Sequence, residues 1–202
     1  MAKQARFQNT VYPVWKRLFD VVFANIALVL YAPVLVIVAL AIKAESPGPV
    51  FSRQVRLGRH GKLFRYLKFR TMIVDASATA TGPVFALRSD PRITRVGRFL
   101  RRTALDELPV LLNVLKGDMS IVGPRAALPL EVEHYSEKER RRLEIKPGLT
   151  GYWQVFGREK GLFDFGRMVE MDLEYAAKCS LMLDLRILLR SIAMAFANRA
   201  AY

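Results

Sequence analysis

VVFANIALVLYAPVLVIVALAI, residues 21 to 42, decides how the rest of the chain is read. These twenty-two residues carry no charge and would reach about 33 Å as a straight helix, enough for the hydrocarbon core of a bilayer. Basic residues flank the run on both sides: Lys3, Arg6, Lys16 and Arg17 before it, Lys43, Arg53, Arg56, Arg59 and Lys62 after it. Positive flanks are held on the cytoplasmic face, so a simple crossing strands one of them on the wrong side. A re-entrant helix that dips into one leaflet and turns back removes the conflict. Pro33 is where the helix is expected to break, because it lacks a backbone donor and crowds the preceding turn, while Asn25 and Tyr31 offer polar groups to backbone atoms freed there. The alternative is a crossing helix with a tolerated kink, since prolines are frequent in membrane helices. A cleaved signal peptide fits less well: the run is long for a signal h-region and no small-x-small site closes it, so the segment is expected to stay as an anchor.

With residues 1–45 read as flank and anchor, residues 46–202 suffice for one compact domain. A net charge of +14 and a pI near 10.3 call for an anionic partner: nucleic acid, lipid headgroups or a phosphorylated substrate. An apolar anchor favours the last two. From Arg53 to Arg102 thirteen Lys and Arg residues face only Asp75 and Asp90, which concentrates the positive field just after the anchor. Cys179 is the single cysteine, so the chain has no internal disulfide and Cys179 is expected to pack. His60 and His134 lie far apart without a Cys/His cluster, so a hard, oxygen-liganded ion such as Mg²⁺ suits this chain better than zinc.

Ser46-Pro47-Gly48-Pro49 ends the helical pattern. Residues 50–56 and 63–71 then flank Gly58-Arg59-His60-Gly61 as a β-hairpin, with Lys68 and Arg70 projecting from one face of the second strand. Residues 75–90 read as a mobile loop. Residues 92–102, as a helix, would carry an apolar stripe of Ile93, Val96 and Leu100 beside a cationic one, a form suited to the headgroup interface. Residues 131–144 read as a solvated helix. Residues 181–197 are apolar but contain Asp184, Arg186 and Arg190, which suits core packing or a helix lying in the interface plane. The expected fold is therefore mainly α with a small β-hairpin.

Residues 103–115 hold the adjacent acids Asp106 and Glu107. Pro109 is harmless only in the first turn of a helix, so that helix is expected to begin near Leu105 or Asp106, with both carboxylates at its positive end. Two neighbouring acids cannot both ionise freely without a cation, which makes Mg²⁺ or arginine a natural companion. The plainer reading is that Asp106 caps the helix.

Three ordered blocks weigh against that plainer reading: YLKFRTM (66–72), LDELPVLLNVLKGDMSIVGPR (105–125) and KPGLTGYWQVFGR (146–158). Together, behind a proline-containing anchor, they resemble the bacterial sugar transferase family, and more narrowly its small monotopic phosphoglycosyl transferases, over about residues 14–190. The resemblance implies transfer of a sugar 1-phosphate from a UDP-sugar to polyprenol (undecaprenyl) phosphate, with release of UMP. It places the domain at the cytoplasmic face of a bacterial inner membrane, opening glycan assembly, among interfacial amphipathic helices. The short stretch ahead of the anchor is what a minimal catalytic form would have. The resemblance also makes Asp106 the nucleophile that forms a covalent phosphosugar adduct, with Glu107 beside it in positioning and in Mg²⁺ binding. Lys68, Arg70, Arg101, Arg125 and Arg158 are its cationic, substrate-binding candidates.

Arginine suits bidentate phosphate contact and lysine acts as a point charge. Gly123-Pro124-Arg125 would aim one guanidinium, although Ala126 stands where the family usually has a second proline. Gly148, Gly151 and Gly157 are expected to allow close backbone approach around Trp153, which either stacks on a nucleobase or packs in the core. Asp172 is a candidate for orienting an arginine, against a solvated helix acid. Two other classes fit less well. No nucleic-acid-binding motif accompanies the charge, and a non-catalytic scaffold on anionic lipids would leave the acid pair unexplained.

Overall fold

A computed structural model describes residues 13–73, 90–157 and 164–196. The apolar run lies within α1 (Val14–Glu45), 32 residues, and the break expected at Pro33 does not occur: the proline removes one backbone bond, and the turns on either side of it carry the helix on. After a bend the chain makes the hairpin, β1 (Phe51–Leu57) and β2 (Leu63–Phe69), closed by a single 3₁₀ turn at Arg59–Gly61. The strands pair antiparallel, with Arg56 opposite Phe64, Gln54 opposite Tyr66 and Ser52 opposite Lys68. The hairpin is where the alternation of the sequence put it.

Downstream lie α2 (Arg95–Thr103), a 3₁₀ stretch (Leu105–Val110), α3 (Leu111–Lys116) and the short strand β3 (Ser120–Val122). They are followed by α4 (Pro129–Glu133), α5 (Glu137–Arg140), β4 (Gly148–Thr150), a π turn at Trp153–Gly157, α6 (Phe165–Lys178) and α7 (Leu181–Phe196). Three readings change here. The helix expected from residue 92 begins at Arg95, because Thr94 caps it through the Gly97 amide while Ile93 bridges Met72 in extended form. The solvated helix expected over residues 131–144 is three short pieces, since Ser136 opens a fresh capping box with Glu139 and restarts the turn. Finally, β3 and β4 form a small parallel pair that three-residue strands do not announce in sequence. Gly123 and Gly148 are needed there: a Cβ on Gly148 would stand 2.1 Å from the Gly123 nitrogen. Gly148 and Gly151 therefore approach the Gly123 backbone, and of the three glycines expected around Trp153 only Gly157 meets its ring.

Two apolar clusters organise the domain, and α1 contributes to both. Ala24 and Ala27 join Phe64, Leu111, Val114, Ile121, Tyr175 and Ile187; farther along, Val38 and Ile42 join Phe69 and Leu100. Between them α1 stands clear, with Val29 78% and Leu30 68% exposed. From Ala27 to Val38 the helix climbs about 16 Å. Strand β2 covers a similar span between Phe64 and Phe69, about 17 Å, so strand and helix run past the same two clusters.

Polar contacts fasten both ends of α1. At its start the Lys16 ammonium lies 2.5 Å from Asp184 of α7, and Asp20 accepts from Ser120 Oγ at 3.0 Å and the Ile121 amide at 2.9 Å. Arg17 donates to the Val114 and Leu115 carbonyls, 2.6 Å each, at the end of α3. At its finish Glu45 accepts from the Arg95 and Val96 amides and so caps α2. Cys179 packs against the first cluster, as expected.

Candidate active site

The dyad sits where the two clusters meet. Leu105 packs into the cluster of Phe69 and Leu100, whereas Leu108, Val110 and Leu111 belong to the other, so Asp106 and Glu107 lie on the turn between them. Ala104, in the left-handed region at φ 56°, ends α2 and redirects the chain into that turn. The stretch starts at Leu105, as the position of Pro109 requires, but its first six residues wind as 3₁₀ before α3 continues.

Beneath the dyad lies one face of the hairpin. Side chains alternate along strands, so Arg56, Tyr66 and Lys68 share a face. The other edge of β2 is held by Asn113, whose Oδ1 accepts from the Leu67 amide at 3.0 Å and whose Nδ2 donates to the Arg65 carbonyl at 2.8 Å. That pair of bonds fixes the height of Lys68 against the dyad.

Asp106 is 1% exposed, and neither carboxylate oxygen has a hydrogen-bond partner among the described residues. A buried carboxylate without partners is expensive and rare outside functional sites. Burial pushes its pKa up, and the nearby Lys68 and Arg101 pull it back. Glu107 is also pushed up, first by burial and then by Asp106, while Lys68, a hydrogen bond from Tyr66 and Arg125 oppose the rise. Burial lowers the pKa of Lys68, with Asp106 and Glu107 holding it up. Arg101 is steadied by donation from its Nε to Thr71 Oγ1 at 2.9 Å.

The expected cations thus divide. Lys68, Arg101 and Arg125 gather around the dyad. Arg70, expected beside Lys68, is committed elsewhere: its guanidinium donates to Ser46 O at 2.8 Å, Ser46 Oγ at 3.0 Å, Ile42 O at 3.3 Å and Pro47 O, closing the end of α1. Arg158 lies outside the described residues, as do residues 75–89 of the expected loop. Arg125 is exposed and reaches Glu131 at 3.8 Å. Asp172 does orient an arginine, Arg142, at 2.7 Å with both side chains buried; burial pushes its carboxyl up to about 6, and Arg142 opposes that rise. The Trp153 ring is half-buried against Gly157.

Tyr66 and Arg56 escaped the sequence reading. The signal was present in the alternation that singled out Lys68, because Tyr66 lies two residues before it and Arg56 lies opposite Phe64. Neither is acidic or adjacent to the dyad in sequence, so only pairing brings them in. For a metal, the described residues contain no cluster of three acidic, His or Cys side chains. Two adjacent carboxylates, one with both oxygens unpartnered, nevertheless fit Mg²⁺, which takes one or two carboxylates and completes its shell with phosphate and water.

The chain is similar to known proteins over most of its length. The family model described as bacterial sugar transferase matches residues 11–198. A UDP-glucose:undecaprenyl-phosphate glucose-1-phosphate transferase of Escherichia coli (strain K12) is 43% identical over 194 residues, 93% of this chain and 41% of that protein. One of the same name from Caulobacter vibrioides is 44% identical over 195 residues, 93% of this chain and 72% of the relative. An undecaprenyl-phosphate galactose phosphotransferase of Salmonella typhimurium is 39% identical over 200 residues, 93% of this chain and 41% of its own length. The chain spans less than half of the Escherichia and Salmonella proteins.

Proposed function

The chain belongs to the bacterial sugar transferase family, and from that premise we propose that it moves a sugar 1-phosphate from a UDP-sugar to polyprenol phosphate and releases UMP. The observation that carries this reading is the Asp106 carboxylate, buried, without a hydrogen-bond partner from another of the described residues, and within the field of Lys68 and Arg101. In the first step an Asp106 oxygen bonds to the β-phosphorus. The bond from that phosphorus to the bridging oxygen breaks, and its electron pair leaves on UMP. In the second, a phosphate oxygen of the polyprenol carrier attacks the same phosphorus and the aspartyl bond breaks, returning the carboxylate. No proton needs to move in either step.

Attack of an anion on a diphosphate brings like charges together, so fixed cations carry much of the catalysis. Lys68 and Arg101 oppose the rise that burial imposes on the Asp106 pKa and so favour the ionised nucleophile. Glu107, held by Tyr66, positions the dyad. Asp106 and Glu107 would hold Mg²⁺, which when bound supplies further neutralisation of phosphate charge.

The membrane reading follows from how α1 is attached. Its contacts with the domain reach Leu28 on one side and resume at Val34 and Leu35 on the other, leaving about 9 Å of helix between them, well short of a roughly 30 Å hydrocarbon core. A wedge in one leaflet accommodates both attachments on the same face, at the level where a membrane-embedded phosphate and a dissolved nucleotide can meet. That face is the cytoplasmic side of a bacterial inner membrane, where the basic flanks are retained.

The test is to incubate the protein with Mg²⁺ and a panel of UDP-sugars without polyprenol phosphate, and to weigh the intact chain. A phosphosugar adduct that is absent from Asp106→Asn and disappears when polyprenol phosphate is added is the expected result. An adduct that persists in Asp106→Asn would overturn the assignment of the nucleophile.

A further inference from the structure

We infer that Arg56 is a phosphate-binding residue of this site, acting with Arg125 as a second pair of cations that flanks Glu107 as Lys68 and Arg101 flank Asp106. The inference rests on the function proposed above and adds to it a residue that lies outside the three sequence blocks.

Position comes first. Arg56 occupies the same hairpin face as Tyr66 and Lys68, and its guanidinium lies 5.6 Å from the centroid of the Tyr66 ring, whose hydroxyl serves Glu107. Its terminal nitrogens donate to the Ala126 carbonyl and to Gln54 Oε1, 3.0 Å each. Both acceptors are neutral. The third donor, Nε, is buried with no hydrogen-bond partner among the described residues. A part-buried guanidinium against an aromatic ring, with a donor left over and no ion pair among the described residues, is a cation held ready for an anion that comes and goes.

Charge comes second. Burial lowers the Arg56 pKa, and Arg125 lowers it further, while Tyr66, Glu131 and Glu107 raise it. The geometry agrees, since Arg56 donates to the carbonyl of Ala126, the residue next to Arg125, and the acid that Arg125 reaches is the rim Glu131. Phosphate is the anion that fits such a pair, since arginine's planar fork matches its oxygens. With the attacked phosphorus at Asp106, the Glu107 side receives the other phosphate. That group belongs either to the departing nucleotide or to the arriving polyprenol phosphate, and the two steps separate these sources.

Arg56→Gln and Arg56→Lys are to be compared with the full-length parent, with Gln54→Ala as the control that breaks one of the same hydrogen bonds and keeps the cation. Adduct formation from UDP-sugar alone, with UMP-induced thermal stabilisation, reads the nucleotide arm. Transfer from adduct to polyprenol phosphate reads the other. Arg56→Gln is expected to raise the KM of one phosphate substrate by about tenfold or more, Arg56→Lys to recover part of the loss, and Gln54→Ala to leave both arms at parental values. Unchanged KM values in both arms for Arg56→Gln would overturn the inference, as would an equal loss in Gln54→Ala, which would make Arg56 a fastener of β1. Should Arg56→Gln not fold, Arg56→Lys decides: charge without the fork is expected to raise the KM a few-fold, and parental values sink the proposal. Failure of the parent itself to release UMP would strike the proposed function instead.

Discussion

Asp184 and Asp106 are both aspartates with essentially no solvent exposure, 0% and 1%, yet the protein treats them oppositely. Asp184 has a partner for each oxygen: Lys16 Nζ at 2.5 Å on one and the Tyr175 hydroxyl at 2.7 Å on the other. Its partners come from α1 and α6, so the carboxylate ties three helices together at the start of the long apolar helix. Asp106 has cations nearby, but neither oxygen has a hydrogen-bond partner from another of the described residues. A satisfied buried network stabilises one arrangement, whereas an unsatisfied acid is a cost that calls for a functional reason. The contrast separates the group that builds the fold from the group that works in it.

Exchanging each acid for its amide breaks the comparison most sharply. Asp106→Asn is expected to lower UMP release by about a thousandfold or more while leaving the melting temperature at or above the parental value, because a buried charge without partners is removed. In Asp184→Asn the order reverses: removing one partner of a buried ion pair costs about 3–5 kcal/mol, seen as a lower denaturation midpoint in detergent, with the chemistry retained in whatever remains folded. Smaller is the effect of Arg70→Ala, about 1–3 kcal/mol, since it leaves carbonyls at the end of α1 without a donor; denaturation again measures it, and a selective KM effect with unchanged stability would return Arg70 to the substrate side.

The smallest expected effect is in the pH profile. Burial raises the Asp106 and Glu107 pKa values, so the protonated, non-nucleophilic form persists to higher pH than in an ordinary carboxylate. The acid limb of the adduct-forming rate should fall about tenfold per pH unit, beginning above the range near 4 usual for aspartate. A rate unchanged down to about pH 4 would show that Asp106 titrates as an ordinary carboxylate.

Much of the molecule was legible from local patterning. The apolar run predicted helix but not its continuity, since the break expected at Pro33 is absent; the Gly58–Gly61 turn between alternating strands predicted the hairpin, and Pro109 placed the start of the dyad's turn within a residue. Each is a consequence of short-range chemistry: hydrophobic length, side-chain period and a missing backbone donor. The readings that changed depend on partners far along the chain. Arg70 looked equivalent to Lys68 two residues away, but the end of α1 offered it four acceptors. Residues 131–144 looked like a solvated helix, yet Arg142 within them is buried against Asp172.

By itself the amino-acid sequence determined the elements, the acid pair and the sign of the surrounding field, because those follow from residue types and their spacing over a few positions. Tertiary structure alone decided which cations face the dyad, that Tyr66 and Arg56 stand among them, and that both halves of α1 rest on the same domain. Strand register and long-range ion pairs set these, and such pairs join residues up to 168 positions apart, beyond the reach of any local pattern.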